Sequence, residues 1–519
     1  MLKELTKEYS DVFIIVLAAA GLVFSHALMS FALVFMALRF IFVDKSRLIA
    51  CRKDVLFALL AYFALFIVAM AWSSDVNEAL KQVNKNLPFL IVPLYFFAIP
   101  LPNRKSLFQI AFCAIAFLII ASCIALIRLY FFDVEDIRSA LPFGSHIRFA
   151  LFICTAIGFL AISLMKRYKQ ANRREIGICL GLIVYFIAYL VLSSSLTGIM
   201  LLLIVFMPVC LFVAAKRMPK RIFSFAVSFF SFAVLIFSFA VSFFAYDYFV
   251  PKNGECKNGM IENGYCHQVN NETIRDNSER AEMAVGLKKY LNIAPDSLFT
   301  DKDCKYAFTD IASRYFVCKG LARTAENWSW LSPSDLDNIR NGIPNPVYAS
   351  GNPLKVRIYK TFFEFEAYRK WGKIKGSSLV QKIELWQKGS RIVEKGGRWL
   401  FGVGTGDLRQ ELNKSLKESN SQLADSGLMI HNQYLSIFIT FGFVGCSVFL
   451  FFIIYPAHRT KLYKNAFYIY FLALMLVSML SEDTLDNQQG IMFFCIMNSF
   501  FLSSNIETDK KTYLCSNEL

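Results

Sequence analysis

The sequence predicts an all-α polytopic membrane protein with about twelve transmembrane helices and one large polar loop domain between the ninth and tenth spans. Three observations predict it. The 519-residue chain is 56% hydrophobic and 16% aromatic but only 18% charged, where a soluble chain carries about 25% charge. The apolar residues fall in blocks near the roughly 20 residues that a bilayer span requires. The basic residues concentrate in alternate short segments between those blocks, as topology rather than nucleic-acid binding would place them.

The blocks read as spans at 12–24, 28–43, 55–72, 86–100, 107–131, 147–165, 176–193, 197–215, 222–245, 434–455, 466–481 and 490–503. The first block has no small-residue cleavage site and runs straight into the second, so it reads as a span and not as a signal peptide. Placing both termini in the cytoplasm puts Lys45, Arg47, Arg52 and Lys53 there, with Lys166, Arg167, Arg173 and Arg174, then Lys216, Arg217, Lys220 and Arg221, and Arg459, Lys461 and Lys464. The opposite short loops hold only Lys81, Lys85 and Arg138. That asymmetry orients the chain and absorbs most of its +16 formal charge without a nucleic-acid partner.

The expected organisation is a bundle over 1–245, an outer polar domain over 246–432, further spans over 433–503 and a tail over 504–519. The Phe-, Ser- and Ala-rich stretch 222–245 reads as lipid-facing helix. Four of the 13 cysteines, Cys256, Cys266, Cys304 and Cys318, lie in the outer domain. An even set in an oxidising compartment suggests two disulfides, with 256–266 and 304–318 the simplest pairing. A metal site competes, but the spacings are not those of a zinc ribbon.

His431 stands where the polar segment re-enters the membrane, in Leu428-Met429-Ile430-His431-Asn432-Gln433-Tyr434. A neutral imidazole there accepts a proton from an attacking hydroxyl or hydrogen-bonds a phosphate. The plainer alternative is an interfacial histidine at the start of a span. Gly402, Gly404 and Gly406 precede Asp407 in a glycine-rich turn, which is either a plain turn or one whose backbone N–H groups approach a diphosphate. The stretch 352–400 is strongly basic with interleaved aromatics, suited to amphipathic helices on a membrane surface. Glu384, Asp407, Asp425, Glu482 and Asp483 are alternative carboxylate bases. No His/Asp/Glu cluster has metal-ligand spacing, so a site without metal or cofactor is expected.

His431-Asn432, nine residues, Gly442, two residues and Gly445 form a pattern that resembles the signature of the O-antigen ligase and O-antigen polymerase family. The turn Phe401–Asp407 and the serine-rich Ser377–Trp386 resemble the family's segments before that signature. Ser145-His146-Ile147-Arg148-Phe149 and the polar stretch around 324–350 look like the branch found in Bacteroidetes-type bacteria. The resemblance implies a class C glycosyltransferase-like fold in a bacterial inner membrane. It implies a donor glycan on undecaprenyl pyrophosphate and an acceptor such as lipid A-core, with membrane lipids as further partners. A repeat-unit polymerase is the alternative within the family; a glycolipid transporter or flippase is the alternative of another class. His431 would activate the acceptor, with Asn432, Gly442 and Gly445 as motif support. The family's arginine in Ser-Ser-Arg-Thr-Gly is here Leu196, and its second arginine is Lys382. Lysine neutralises phosphate without the bidentate fork of arginine, and leucine cannot. Arg148 and Arg128 are the cations expected to make up the missing charge; the plainer reading of each is snorkelling to the interface.

Overall fold

The computed structural model describes residues 2–49, 52–131, 141, 144–193, 195–217, 219–252, 260–267, 277–301, 304–374, 376–394 and 397–517. Helices dominate, and the strands among the described residues form just two antiparallel hairpins. The chain divides into two compact units, one of Met1–Ser228 with Lys382–Leu519 and one of Phe229–Gln381.

In chain order the helices of the first unit are α1 (Leu2–Phe24), α2 (His26–Phe42), α3 (Lys53–Val68, closed by the 3-10 turn Ala69–Trp72), α4 (Val76–Lys85), α5 (Pro88–Ala98), α6 (Arg104–Phe131), α7 (His146–Arg167), α8 (Arg173–Leu192), α9 (Leu196–Leu201) and α10 (Met207–Arg217). Helix α11 (Lys220–Phe249) follows. The second unit adds α12 (Asn277–Gly286), α13 (Phe308–Cys318), α14 (Pro333–Arg340) and α15 (Pro353–Trp371). Next come α16 (Ser378–Glu394), α17 (Leu408–Glu418), α18 (Gln433–Arg459), α19 (Ala466–Ser478) and α20 (Gln488–Asn517).

Among the described residues six helical stretches are long and apolar enough to cross a membrane: Lys53–Trp72, Arg104–Leu129, His146–Arg167, Arg173–Leu192, Leu196–Lys216 and Gln433–Arg459. The protein is thus a predominantly helical membrane protein. The other expected spans are helical too, but α2, α5 and α19 are short. Helix α5 has 11 residues, about 16 Å of rise against a hydrocarbon layer of about 30 Å. Its Phe89, Val92, Tyr95 and Phe96 are buried against protein rather than offered to lipid.

Helices α3 and α18 run antiparallel and fix the centre of the first unit. At one end Arg459 Nε donates to Asp54 Oδ2 at 2.9 Å and Tyr455 Oη donates to the same oxygen at 3.1 Å. Along the contact Tyr62 stacks on Phe452, with ring centroids 4.9 Å apart, and Phe66 meets Phe441 edge-on at 4.9 Å. The opposite ends, Trp72 and Gln433, therefore lie on one side.

In the second unit the Asn263-Gly264 turn has φ of 55° and 78°, the left-handed pair that two-residue hairpins need. It joins strands β1 (Met260–Glu262) and β2 (Tyr265–His267). Strands β3 (Leu298–Asp301) and β4 (Cys304–Ala307) form the second hairpin. Met283, Leu287, Tyr315, Phe316 and Trp328 build the core. Beside it Arg314 grips Glu262 through Nε at 2.9 Å and Nη2 at 2.6 Å, and Asn345 Nδ2 donates to the same carboxylate.

The expected outer domain 246–432 is not one compact body. The division falls at 381/382, and the residues from Lys382 onward group with the membrane helices. The reason is that Lys382, Trp386 and Val403 donate hydrogen bonds to the carbonyls of Ser481, Ile430 and Ile439. Of the cysteine calls, Cys256 and the side chains of Cys266 and Cys304 lie outside the described residues, and with them both expected disulfide pairings. Cys318 is a buried thiol beside Glu262 and Arg314, and burial pushes its pKa up.

Candidate functional site

Helix α18 begins with a polar cap that holds His431. The Asn432 side chain accepts from the Leu435 N–H at 3.1 Å, an N-cap bond that satisfies one orphan donor of the first turn. Asn432 Nδ2 donates to the Leu480 carbonyl at 3.1 Å. His431 itself has φ 55°, a left-handed conformation that costs a residue with a Cβ about 1 kcal/mol or more. Asp483 holds it there: Oδ2 accepts the His431 N–H at 2.6 Å, and Oδ1 accepts from Ser436 Oγ at 2.7 Å. Gln433 completes the anchor, its N–H donating to the Met479 carbonyl and its Oε1 accepting from the Leu485 N–H at 2.7 Å.

Glu482 joins two of the residues singled out from sequence. Its Oε2 lies 3.6 Å from His431 Nδ1, slightly beyond a hydrogen bond, and its Oε1 accepts from Lys382 Nζ at 2.7 Å. Lys382 Nζ also donates to the Ser481 carbonyl at 2.7 Å. Described residues thus take two of the three donors of this ammonium. Helix α16 is held in register for this by Trp386, whose Nε1 donates to the Ile430 carbonyl at 2.9 Å. Burial works to raise the Glu482 carboxyl, but the neighbouring His431 and Lys382 outweigh it and keep its pKa below the ordinary value. Asp483 goes the other way: burial raises it, and Asp486 adds to the rise.

Arg148, in the first turn of α7, stands in the field of Glu482, Asp486 and Asp483. Its Nε is buried without a hydrogen-bond partner among the described residues. Lys382 and His431 thus share Glu482, and Arg148 feels the charge of the same acidic group. Arg128 does not join them: it lies in the last turn of α6 and makes no hydrogen bond or ion pair with a described residue. Leu196, where an arginine was expected, is the first residue of α9, whose cap is Ser195 Oγ accepting from the Gly198 N–H at 3.3 Å.

The glycine-rich turn has a different use from the one that sequence allowed. Helix α18 is broken at Gly442, with φ 65° and ψ −161°. The turn lies against the break and pairs with it through four backbone hydrogen bonds. Val403 N–H donates to the Ile439 carbonyl at 2.9 Å, Gly404 N–H to Thr440 at 2.9 Å, Phe443 N–H to Trp399 at 2.8 Å and Val444 N–H to Leu400 at 3.1 Å. The Val403 and Gly404 N–H groups are therefore spent on protein carbonyls and are not a diphosphate cradle. Gly406 N–H donates to Ser73 Oγ at 3.0 Å. Gly445 also serves packing, since a Cβ there would meet the Phe441 Cβ at 2.0 Å.

Asp407 closes the turn. One carboxylate oxygen accepts from Ser73 Oγ at 2.8 Å and from the Ser74 and Asp75 N–H groups at 3.0 Å; the other accepts from Ser74 N–H at 2.8 Å and Ser74 Oγ at 2.9 Å. Burial opposes its charge, but these donors hold the carboxyl below its usual pKa. Asp407 is a structural tie between the turn and the start of α4, not a base. Beside it opens a small cleft, part of it open to solvent. Glu78, Gln82, Arg409 and Asp486 stand among its polar lining residues, and Tyr62, Phe66 and Phe441 among its apolar ones. Ser436 and Gln433 also line it, which places the cleft directly behind the His431 anchor.

Glu482 and Asp483 were legible only as two among several carboxylates. The available signal was their position: an acidic pair in Ser481-Glu482-Asp483 immediately after an apolar helix, where unpaired charge is expensive. Among the described residues no group of three or more His, Cys, Asp and Glu side chains is arranged to hold a metal. No protein-family model and no curated protein matches the chain.

Proposed function

We propose that this chain is a glycosyltransferase of the bacterial inner membrane that moves a glycan from undecaprenyl pyrophosphate to an acceptor hydroxyl, lipid A-core or a similar glycan, on the periplasmic face. One observation carries the reading: His431, Lys382 and Glu482 stand in one cluster at the end of a membrane-spanning helix, with Arg148 in the same field. The resemblance of His431-Asn432…Gly442…Gly445 to the ligase and polymerase signature supports it.

In this mechanism the acceptor oxygen forms a bond to the anomeric carbon as the bond to the diphosphate oxygen breaks. The leaving diphosphate takes the electron pair, and a single displacement inverts the anomeric centre. Lys382 and Arg148 neutralise the diphosphate. Glu482 faces Nδ1 of His431, which leaves Nε2 to accept the acceptor proton. The chemistry needs no metal, because diphosphate is already a good leaving group.

The test uses purified protein with polyprenyl-diphosphate-linked glycan and acceptor. Wild type forms glycosylated acceptor, and His431→Ala loses about 10²-fold or more in kcat. Transfer at the wild-type rate by His431→Ala, or glycolipid movement without product, would refute the assignment. In cells, deletion of the gene that leaves single repeat units on lipid A-core identifies a polymerase, and deletion that leaves none attached identifies a ligase.

A further inference from the structure

We infer that the turn Trp399–Gly406 is a re-entrant segment seated in the lipid bilayer, with Trp399 and Phe401 as its anchors in the leaflet on the His431 side. This goes beyond the proposed transfer reaction and does not depend on it.

The position follows from the partner of the turn. Its backbone pairs with Ile439–Val444, which lie inside the membrane-spanning helix α18 and not at its end. Helix α18 has 27 residues, about 40 Å of rise across a hydrocarbon layer of about 30 Å. Residues 439–444 begin about 9 Å below its start, which is past the roughly 5 Å of overhang that an evenly placed helix leaves on each side. The paired turn therefore reaches hydrocarbon depth. Irregular backbone survives there only when its polar groups are satisfied by protein; the four bonds to the broken helix meet part of that need, and the bonds from Gly402 N–H to Arg398, Thr405 N–H to Ala69 and Gly406 N–H to Ser73 Oγ meet more of it.

The side chains fit the same depth. Trp399 is 57% exposed, Phe401 52% and Phe443 60%. Trp72, at the end of the neighbouring span, meets Phe401 at 6.0 Å between ring centroids. On α4, Val76 and Leu80 are also exposed. The patch is continuous with two membrane-crossing helices, so the occupant is lipid at the acyl–headgroup boundary, where tryptophan is enriched.

The experiment reconstitutes the full-length protein in vesicles whose lipids carry bromine near the carbonyl end of the acyl chain. Subtracting the emission of Trp399→Phe from that of wild type isolates Trp399. The expected result is blue-shifted Trp399 emission that brominated lipid quenches at least twofold and aqueous iodide leaves unchanged. A second reporter, Phe401→Trp in the Trp399→Phe background, should behave alike. Emission quenched by iodide and untouched by brominated lipid, at both positions, would overturn the inference. Both measurements read the bilayer directly and are indifferent to whether the protein transfers glycan.

Discussion

Gly402 and Gly442 face each other across the break in α18, and neither position has room for a Cβ. A Cβ on Gly402 would lie 2.4 Å from the Thr440 carbonyl carbon and oxygen, and one on Gly442 would lie 2.4 Å from those of Leu400. Both contacts are with backbone, and both glycines have positive φ, 70° and 65°. Gly402→Ala or Gly442→Ala should therefore cost about 4 kcal/mol or more. In detergent, each variant should unfold at a markedly lower temperature than wild type. Gly427→Ala is the control: its φ is 69° but nothing lies within 4 Å, so it should lose only about 1–2 kcal/mol from backbone strain.

The Asp407 nest gives a pH prediction. Its folded carboxyl titrates below the ordinary value, so the unfolded chain takes up the proton first as pH falls. The stabilisation is complete above the unfolded pKa of about 4 and is lost as pH drops through the folded one. Glu482 has the same sign. Asp407→Asn should lower the unfolding temperature at neutral pH, and its decline between about pH 5 and pH 3 should be shallower than that of wild type. Equal slopes would show that the serine donors add nothing to the charged form.

Glu482 bridges His431 and Lys382, so Glu482→Gln should lower the rate of transfer without removing the fold. A loss of about 10-fold to 100-fold in kcat is expected, because the amide neither orients the imidazole as a carboxylate does nor balances the ammonium. Glu482→Asp should restore part of it. A Gln variant with unchanged kcat would reduce Glu482 to a packing residue.

Lys382 separates charge from geometry. Lys382→Arg should keep donor affinity or improve it, since guanidinium binds phosphate bidentately. Lys382→Ala should raise the donor KM and strand Glu482 without its strongest partner. Titration of product formation against donor concentration checks both.

The Arg314–Glu262 pair should matter to the second unit alone. The Glu262 side chain is fully buried and Arg314 is mostly so, and removing one member leaves an uncompensated charge. Arg314→Met should destabilise the protein by about 3–5 kcal/mol. Replacing Glu262 with Gln in the same chain should recover part of that loss, as measured by thermal unfolding of the double variant.

Hydrophobic blocks were enough to announce a helical membrane protein, because burying apolar surface in lipid depends on local composition over about 20 residues. His431 and Lys382 could also be singled out as candidates, one by its place at a membrane re-entry and the other by a resembling motif. Their meeting through Glu482 was not, since residues 382, 431 and 482 are joined by tertiary contacts that no local pattern encodes. The glycine run shows the same division: Gly402 and Gly404 signalled a special backbone. Only the break at Gly442, some forty positions along, decided that the Val403 and Gly404 N–H groups complete a severed helix rather than hold a phosphate. Sequence determined what each segment could tolerate; the fold decided which backbone groups were already taken, because hydrogen-bond capacity is finite and is filled by whichever partner the packing brings within reach.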